Sequence, residues 1–355
     1  MDLAEFKHTE GLARRRELFG DAFPQNGGTP SATVEHYRWK FHHAPVTPSS
    51  FEYEASEGDG MLGYYAAVPY RYRLGGREVL SGVVCDVMTH SSARRRGVFS
   101  DLGRFALQEM RAAQVSLAVA YPVKPEVVSG HLKIGWRVAF ELPMYVRPLG
   151  AGAILKPGQM PWLRPVVKGA VAMYQGLRRT RPCSDYEVSV GPARELLHLP
   201  AFATFVQRWS ALVPNHLVKS ADFYDWRLGA PGTSYQAFLV RRRGAVVAAA
   251  VGCRSRLRGA VSYALLDVMA LTDERDALST LYHQIGCQAR QHGAQAIVTM
   301  MSRYRAREYR LIRFGFLASP FRFKLIACWL GAEADAEEIF AEENWHLMWI
   351  DSDDM

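Results

Sequence analysis

An internal repeat restricts the fold of this chain more than any other feature of its sequence. Three motifs return in the same order. HYRWKF (36–41) returns as FYDWRL (223–228), CDVM (85–88) returns as LDVM (266–269), and LKIGW (132–136) returns as IRFGF (312–316). The Trp of the first motif and the Asp of the second lie 47 positions apart in one copy and 41 in the other, and the Asp and the Gly of the third lie 49 and 48 apart. Such regular spacing indicates a duplicated structural unit. The sequence therefore predicts tandem domains at 1–150 and 185–330, a connector at 151–184 and a tail at 331–355.

Both copies predict the same order of secondary structure. An extended segment follows the motif Trp, and two short, turn-bounded β-type runs come next, the second ending at Asp-Val-Met. A helix is predicted after them, because Leu102, Ala106 and Met110 in one copy and Leu278, Leu281 and Ile285 in the other recur at helical spacing. A buried strand, a second helix and a final strand complete each half. The predicted fold class is α/β, with a mixed sheet in which antiparallel strands lead into a β-α-β-α-β unit.

Composition narrows the class of protein. The chain has 355 residues, of which 49% are hydrophobic and 22% charged, as expected for two globular domains. No apolar run approaches the roughly 20 residues that a membrane span needs, and the charged N-terminal segment does not resemble a signal peptide. The five cysteines are scattered without metal-type spacing, which predicts a reduced cytoplasmic protein with no zinc site.

The charge is distributed unevenly along the chain. Residues 333–355 contain nine acidic side chains and no Lys or Arg, so that the body before them carries a balance of +17. A body this basic suits an anionic partner such as a phosphorylated cofactor, a nucleotide sugar or an anionic membrane surface. A nucleic-acid partner is not expected, because the arginines cluster at one loop instead of lining a face with stacking aromatic residues.

That loop is "THSSARRRGVF", residues 89–99, between a predicted strand and a predicted helix. The N-terminus of a helix leaves backbone N–H groups unpaired and carries a partial positive charge. A glycine there lets a phosphate approach those groups, and neighbouring arginines add charge-assisted hydrogen bonds. The position of the arginines therefore favours a pyrophosphate cradle over a solvated turn.

The loop resembles the acyl-coenzyme A loop of the GNAT superfamily of N-acyltransferases, Arg/Gln-x-x-Gly-x-Gly/Ala. Arg94 takes the first place and Gly97 the fourth, whereas Phe99 departs from the small residue at the sixth. "HLKIGW", residues 131–136, is similar to the family's helix ending in Tyr-x-Lys-x-Gly-Phe. The resemblance implies acetyl-CoA or another acyl-CoA as co-substrate. It implies that the pantetheine lies along Val87, Met88 and Thr89, and that the phosphates are held by Arg94, Arg95, Arg96, Gly97, Val98 and Phe99.

The second copy of the loop predicts no cofactor site. In "ALTDERDALST", residues 270–280, the glycine is absent and Asp273, Glu274 and Asp276 accompany the single Arg275. Acidic side chains would repel a pyrophosphate. We therefore expect one cofactor per chain, with the second half shaping the acceptor cleft and supporting the first.

The residues expected to carry the chemistry follow from the same resemblance. Acyl transfer needs a base for the ammonium proton, an oxyanion donor and an acid for the leaving thiolate. His131 stands where the family commonly has its acid tyrosine, Asp86 is a candidate base, and the amide of Met88 is a candidate oxyanion donor. A packed His131 and a structural Asp86, which Asp267 repeats in the second half, are the alternatives.

The leading hypothesis for function is an acyl-CoA-dependent N-acyltransferase that acts on a primary amine, with an amino sugar or a nucleotide-linked amino sugar as the suggested acceptor. A Fem-like aminoacyl transferase and a non-catalytic coenzyme A-binding protein are the alternatives. The basic, amphipathic connector is expected to pack between the domains, and peripheral contact with an anionic membrane is the other interpretation. Trp345 and Trp349 indicate that the tail docks back on the basic body. The oligomeric state stays open.

Overall fold

The computed structural model describes residues 1–26, 29–155, 160–178, 180–257, 259–272, 274–331 and 337–352. The chain forms two compact units. The first unit contains residues 1–140, 229–232 and 324–341, and the second contains 141–228, 233–323 and 342–355. Both are mixed α/β, as predicted from the sequence. None of the helices in the described ranges is long and apolar enough to cross a membrane.

The elements of the first half of the sequence have the following bounds. In chain order they are β1 (Asp2–Glu5), α1 (His8–Ala22), α2 (Val34–His42), β2 (Phe51–Glu57), β3 (Gly60–Leu74), β4 (Arg77–Thr89), α3 (Val98–Ala112), β5 (Leu117–Ala120), α4 (Pro125–Leu132) and β6 (Arg137–Pro148).

The elements of the remaining sequence begin with the connector helix. They are α5 (Arg164–Leu177), β7 (Glu187–Pro192), α6 (Ala193–Leu197), α7 (Pro200–Ser210), β8 (Asn215–Leu217), α8 (Ala221–Arg227), β9 (Tyr235–Arg242), β10 (Ala245–Leu257), β11 (Ala260–Ala270), α9 (Arg275–Gln291), β12 (Ala296–Met300), α10 (Arg303–Glu308), β13 (Leu317–Trp329) and β14 (Trp345–His346).

The sheet of the first unit runs in the order β1-β2-β3-β4-β5-β13. Strands β1 to β4 are antiparallel neighbours, β5 is parallel to β4, and Ile326–Trp329 of β13 lie antiparallel to β5. Helix α3 packs its apolar face, including Leu102, Ala106 and Met110, on this sheet. Trp39 is buried in the first unit and Trp226 in the second, so both motif tryptophans are core residues.

The sheet of the second unit runs in the order β6-β12-β11-β10-β9-β7. Its strand β6 comes from the first half of the sequence, with Met144–Pro148 antiparallel to β12. Because the end of β13 belongs to the first unit, each unit contains the final strand of the other half. The exchange covers the edges of β5 and β12, which would otherwise present unpaired backbone groups. The compact units therefore interleave along the chain, whereas the repeat suggested consecutive halves.

A β-bulge accompanies the repeated Asp in both units. In the first unit the register between β3 and β4 shifts so that Asp86 and Val87 both lie opposite Tyr65, without partners of their own in the ladder. In the second unit the register between β10 and β11 shifts next to Asp267. A bulge re-aims backbone groups at one edge of a strand, and in β4 it lies beyond Val83, the last residue that pairs with β5.

Candidate functional site

The edge of β4 changes its surroundings halfway along the strand. Only Ser81–Val83 pair with β5, so among the described residues the stretch from Val84 to Thr89 has no strand partner on that side. Val87 lies in the bulge, whereas Met88 is in register with Tyr64 inside the β3–β4 ladder. An extended guest molecule could therefore form backbone hydrogen bonds with Val87 in the way that an added strand does.

The N-terminus of α3 follows this open edge directly. Gly97 precedes the helix with φ at +87°, a conformation that favours glycine. The carbonyl of Gly97 accepts hydrogen bonds from the N–H groups of Ser100 and Asp101, at 2.9 and 3.0 Å. The N–H groups of Gly97, Val98 and Phe99 precede these donors and have no partner within the described part of the chain. Unpaired N–H groups at the start of a helix are groups that can bind an anion.

The three arginines of the loop are all exposed. Arg96 pairs with Glu57, with Nη2 3.0 Å from Oε2 and both side chains about half exposed. Arg94 and Arg95 form no ion pair with any residue in the described ranges, so their charge is available to a ligand. Arg95 has φ at +65°, in the left-handed region, so the backbone turns at this residue just before the helix begins.

Asp21, on α1, holds the start of the loop. Its carboxylate accepts hydrogen bonds from the backbone N–H and the hydroxyl of Ser91, both at 2.7 Å. The hydrogen bond from the Ser91 side chain lowers the pKa of Asp21, so the contact persists at neutral pH. The sequence analysis missed this residue, since nothing in the sequence connects Asp21 to a loop 70 positions later.

Phe99, the departure from the family motif, turns its ring away from the backbone of the loop and toward α4. A Cβ atom placed on Gly130 would lie only 2.6 Å from Cε1 of Phe99, which shows how closely the ring covers that glycine. The ring also meets the His131 ring edge-on, with centroids 5.0 Å apart. The large side chain is therefore accommodated by α4, and the N–H of Phe99 remains at the open end of α3.

His131 lies in the core, 1% exposed, with both ring nitrogens engaged. Nδ1 is 2.9 Å from the carbonyl of Val127 and must donate to it, so Nε2 accepts from the hydroxyl of Tyr65 at 3.2 Å. Burial lowers the pKa of His131. The imidazole is consequently neutral at physiological pH, and its geometry favours packing over proton donation.

Asp86 is engaged with two cations from the helices of its own unit. Oδ2 lies 2.8 Å from Nη2 of Arg15, and Oδ1 lies 3.1 Å from Nζ of Lys40. Burial by itself would raise the pKa of Asp86, but Lys40 and Arg15 outweigh it and hold the pKa below its usual value. An acid that is already ionised and paired makes a weak base, so the geometry favours an anchoring role.

Asp267 has the same role in the second unit. Its Oδ2 lies 2.6 Å from Nζ of Lys219, with both side chains fully buried, and it also accepts from the hydroxyl of Tyr224 at 3.2 Å. The repeated Asp thus binds a cation in both units. That a unit with a substituted loop keeps this pair indicates that the pair serves the fold.

The second unit fills the strand edge that the first leaves open. Val268, the repeat counterpart of Val87, donates its N–H to Sδ of Met348 at 3.0 Å, and its carbonyl accepts from Nε2 of His346 at 2.8 Å. Trp345 is also buried, and its carbonyl accepts from Arg305 at 2.8 Å. The part of the tail from residue 342 to 352 therefore docks in the second unit, on the edge of β11. In the loop after β11, Glu274 pairs with Arg242, whereas Asp273 lies outside the described residues.

Comparisons with known proteins identify a domain family for residues 9–139 and solved structures with a similar fold. Residues 9–139 match the family model for the acetyltransferase (GNAT) domain. A GCN5-related N-acetyltransferase from Anabaena variabilis superposes with a TM-score of 0.67 at 12% identity, over 93% of this chain and 73% of that one. A tandem GNAT protein from the clavulanic acid biosynthesis pathway gives 0.61 at 12% identity, over 94% and 99%. Saccharomyces cerevisiae N-myristoyltransferase with bound myristoyl-CoA gives 0.59 at 9% identity, over 92% and 78%. No curated protein matches the sequence significantly.

Proposed function

We propose that this chain, whose residues 9–139 match the acetyltransferase (GNAT) domain model and whose fold is that of a tandem GNAT protein, is an N-acyltransferase that moves an acyl group from acyl-CoA to a primary amine. One observation supports the proposal more than any other. The open edge of β4 at Val87–Thr89 leads directly to the unpaired N–H groups at the start of α3, beside the free guanidinium groups of Arg94 and Arg95. An extended amide chain that ends in a pyrophosphate matches this order of features.

The described residues fit such a molecule. The backbone of Val87 and Thr89 would hydrogen-bond the amides of pantetheine, and the N–H groups of Gly97, Val98 and Phe99 would bind the phosphates. Arg94 and Arg95 would add charge-assisted hydrogen bonds, and Arg96 would join them on leaving Glu57. We expect one site per chain, because His346 and Met348 occupy the matching edge of the second unit.

The transfer forms a C–N bond and breaks the C–S bond of the thioester. The attacking amine loses a proton and the leaving thiolate gains one, so that coenzyme A departs as the free thiol. Negative charge develops on the carbonyl oxygen, and a backbone N–H directed at it lowers the barrier. We propose the amide of Val87 for this role in preference to that of Met88, which lies inside the β3–β4 ladder. His131 and Asp86 then act as positioning residues: His131 supports Phe99 and Asp86 holds α1 and α2 against the bulged strand.

The acceptor is proposed at the level of its class. A primary amine on an anionic carrier, such as a nucleotide-linked amino sugar, suits a body with 17 more basic than acidic side chains before residue 333. Release of free coenzyme A from acetyl-CoA and from longer acyl-CoAs, in the presence of amino sugars, nucleotide-linked amino sugars and peptides, would identify the acyl group and the acceptor.

Binding of coenzyme A, measured by calorimetry, tests the cofactor site itself. The proposal expects one site per chain, and Arg94→Glu together with Arg95→Glu should weaken binding by at least a hundredfold, since each hydrogen bond to a charged group is worth about 1.5–3 kcal/mol. Arg71→Glu with Arg73→Glu, on exposed positions of β3, makes the same change in net charge and should have little effect.

The other outcomes separate the alternatives. If the intact chain does not bind coenzyme A, the acyl-CoA proposal is wrong, and aminoacyl transfer RNA becomes the donor to test for a Fem-like reaction. If the chain binds acyl-CoA at the arginine loop but acylates no amine, the non-catalytic coenzyme A-binding alternative is favoured.

A further inference from the structure

Helix α5 of the second unit carries large apolar side chains on its exposed side. Val166 is 64% exposed, Met173 68% and Leu177 77%, and Trp162, just before the helix, is 75% exposed. Their spacings of four, seven and four positions place them along one side of a helix. This row, which we call the apolar stripe, extends over about 22 Å at 1.5 Å per residue.

The opposite edge of α5 fixes the helix to its own unit. Val171 is buried, and Gln175 donates to the carbonyl of Pro148 at 2.8 Å. The side-chain oxygen of Gln175 accepts from Nη2 of Arg290 at 2.9 Å. The helix is therefore held in one orientation, and the stripe is the side that the unit does not cover. Contiguous exposed apolar surface of this kind marks interaction sites in soluble proteins.

A basic cavity adjoins the C-terminal end of the stripe. It has a volume of about 400 Å³, and Leu177 of the stripe lines it together with Arg178, Arg181, Arg310 and Arg313. Asp276 is the one acidic residue in its lining. None of the four guanidinium groups has a carboxylate within ion-pair distance in the ranges that the structure describes. Arginine binds phosphate in a planar, two-point geometry, so this cavity suits a phosphate group.

We propose that the apolar stripe and the arginine cavity form a docking surface for an anionic phospholipid bilayer. The stripe would enter the boundary between headgroups and acyl chains, where tryptophan is favoured, while the cavity takes a lipid phosphate. Their continuity at Leu177 matches a lipid, which joins a phosphate to an apolar chain. A second copy of the chain is the other possible occupant of the stripe, and the sedimentation measurement below distinguishes it from a bilayer.

Vesicle flotation tests the surface on the full-length protein. Each basic residue near an anionic membrane contributes about 1 kcal/mol, so four arginines predict a preference of roughly a thousandfold for phosphatidylglycerol-containing over pure phosphatidylcholine vesicles. Arg178→Glu with Arg313→Glu should abolish that preference. Arg254→Glu with Arg256→Glu, on exposed positions of β10, gives the same change in net charge and should retain it.

Trp162 supplies a second readout. Its emission should shift to the blue on binding and should be quenched by lipids brominated in the acyl chain, and Trp162→Phe should remove both signals. Trp162→Ser with Leu177→Ser should release the protein from anionic vesicles, whereas Leu212→Ser, an exposed leucine elsewhere in the unit, should not. Circular dichroism would establish that each variant is folded.

Three results would overturn the proposal. The first is equal binding to neutral and anionic vesicles, and the second is no binding to either. The third is loss of inorganic phosphate binding in the arginine variant without any change in vesicle binding, which would assign the cavity to a soluble ligand. Sedimentation of the original chain and of the stripe variants would show whether the variants disrupt a dimer. A disrupted dimer would be a separate cause of lost vesicle binding.

Discussion

Gly130→Ala tests how the Phe99 side chain is accommodated beside the N-terminus of α3. In the structure, a Cβ atom at position 130 would lie 2.6, 2.9 and 3.0 Å from three ring atoms of Phe99. Carbon atoms in favourable contact are about 3.5–4.0 Å apart. The ring cannot retreat toward His131, which is buried and held by hydrogen bonds to Val127 and Tyr65. We therefore expect the substitution to displace Phe99 and, with it, the first turn of α3.

The expected magnitude follows from two opposed contributions. Overpacking a core contact costs about 1–3 kcal/mol, while alanine is better than glycine inside a helix by about 0.5–1 kcal/mol. The variant should be less stable by about 0.5–2 kcal/mol in urea unfolding. Loss of one phosphate hydrogen bond from the displaced turn should weaken coenzyme A binding by about ten- to a hundredfold, which calorimetry measures.

Phe99→Ala is the matched control. It gives the loop the small residue of the family motif, so coenzyme A should still bind, although some stability is lost with the ring. In that background Gly130→Ala should be neutral or stabilising, which gives a coupling energy of about 1–2 kcal/mol between the two positions. If Gly130→Ala stabilises the original chain as well, the close contact does not exist. If Phe99→Ala abolishes coenzyme A binding, the side chain is itself part of the site.

Three further predictions concern buried residues. Asp86→Asn should lower the free energy of unfolding by about 3–5 kcal/mol at neutral pH, because Arg15 and Lys40 lose their counter-charge. The folded-state pKa of Asp86 is depressed, so the difference between the two proteins should shrink only below about pH 4. Urea unfolding at a series of pH values measures this difference. The pKa of His131 is lowered in the folded state, so protonation of this imidazole favours unfolding as the pH falls below about 6.5. The free energy of unfolding should therefore decrease less between pH 7.5 and 5 in His131→Phe than in the original chain. An unchanged pH dependence would contradict a buried neutral imidazole. Trp345→Ala should cost about 3–5 kcal/mol without creating a second coenzyme A site, and two sites per chain in calorimetry would refute the account of the second unit.

The repeat and the arginine loop made much of the fold, and the strand–loop–helix order at the candidate site, predictable from sequence. Short motifs sufficed for this, because a strand that ends at Asp-Val-Met and a helix that begins after Arg-Arg-Arg-Gly are local patterns. The exchange of β6 and β13 was not predictable, because the exchanged and unexchanged pairings satisfy the same hydrophobic pattern. The contact between Phe99 and Gly130 and the hydrogen bonds from Ser91 to Asp21 depend on three-dimensional proximity between distant positions.

The two units together explain why the cofactor site is expected in only one of them. Both contain the bulged strand with its repeated Asp, and in both the valine after that Asp, Val87 or Val268, lies at an edge that the neighbouring strand does not reach. Backbone groups at such an edge need partners, since leaving them unpaired and buried costs free energy. The second unit supplies its partners from the tail, through Met348 and His346. In the first unit no described strand pairs with this edge beyond Val83, and a helix N-terminus lies beside it with two arginines that form no ion pair among the described residues. This difference supports the proposal that an amide- and phosphate-bearing co-substrate binds at Val87.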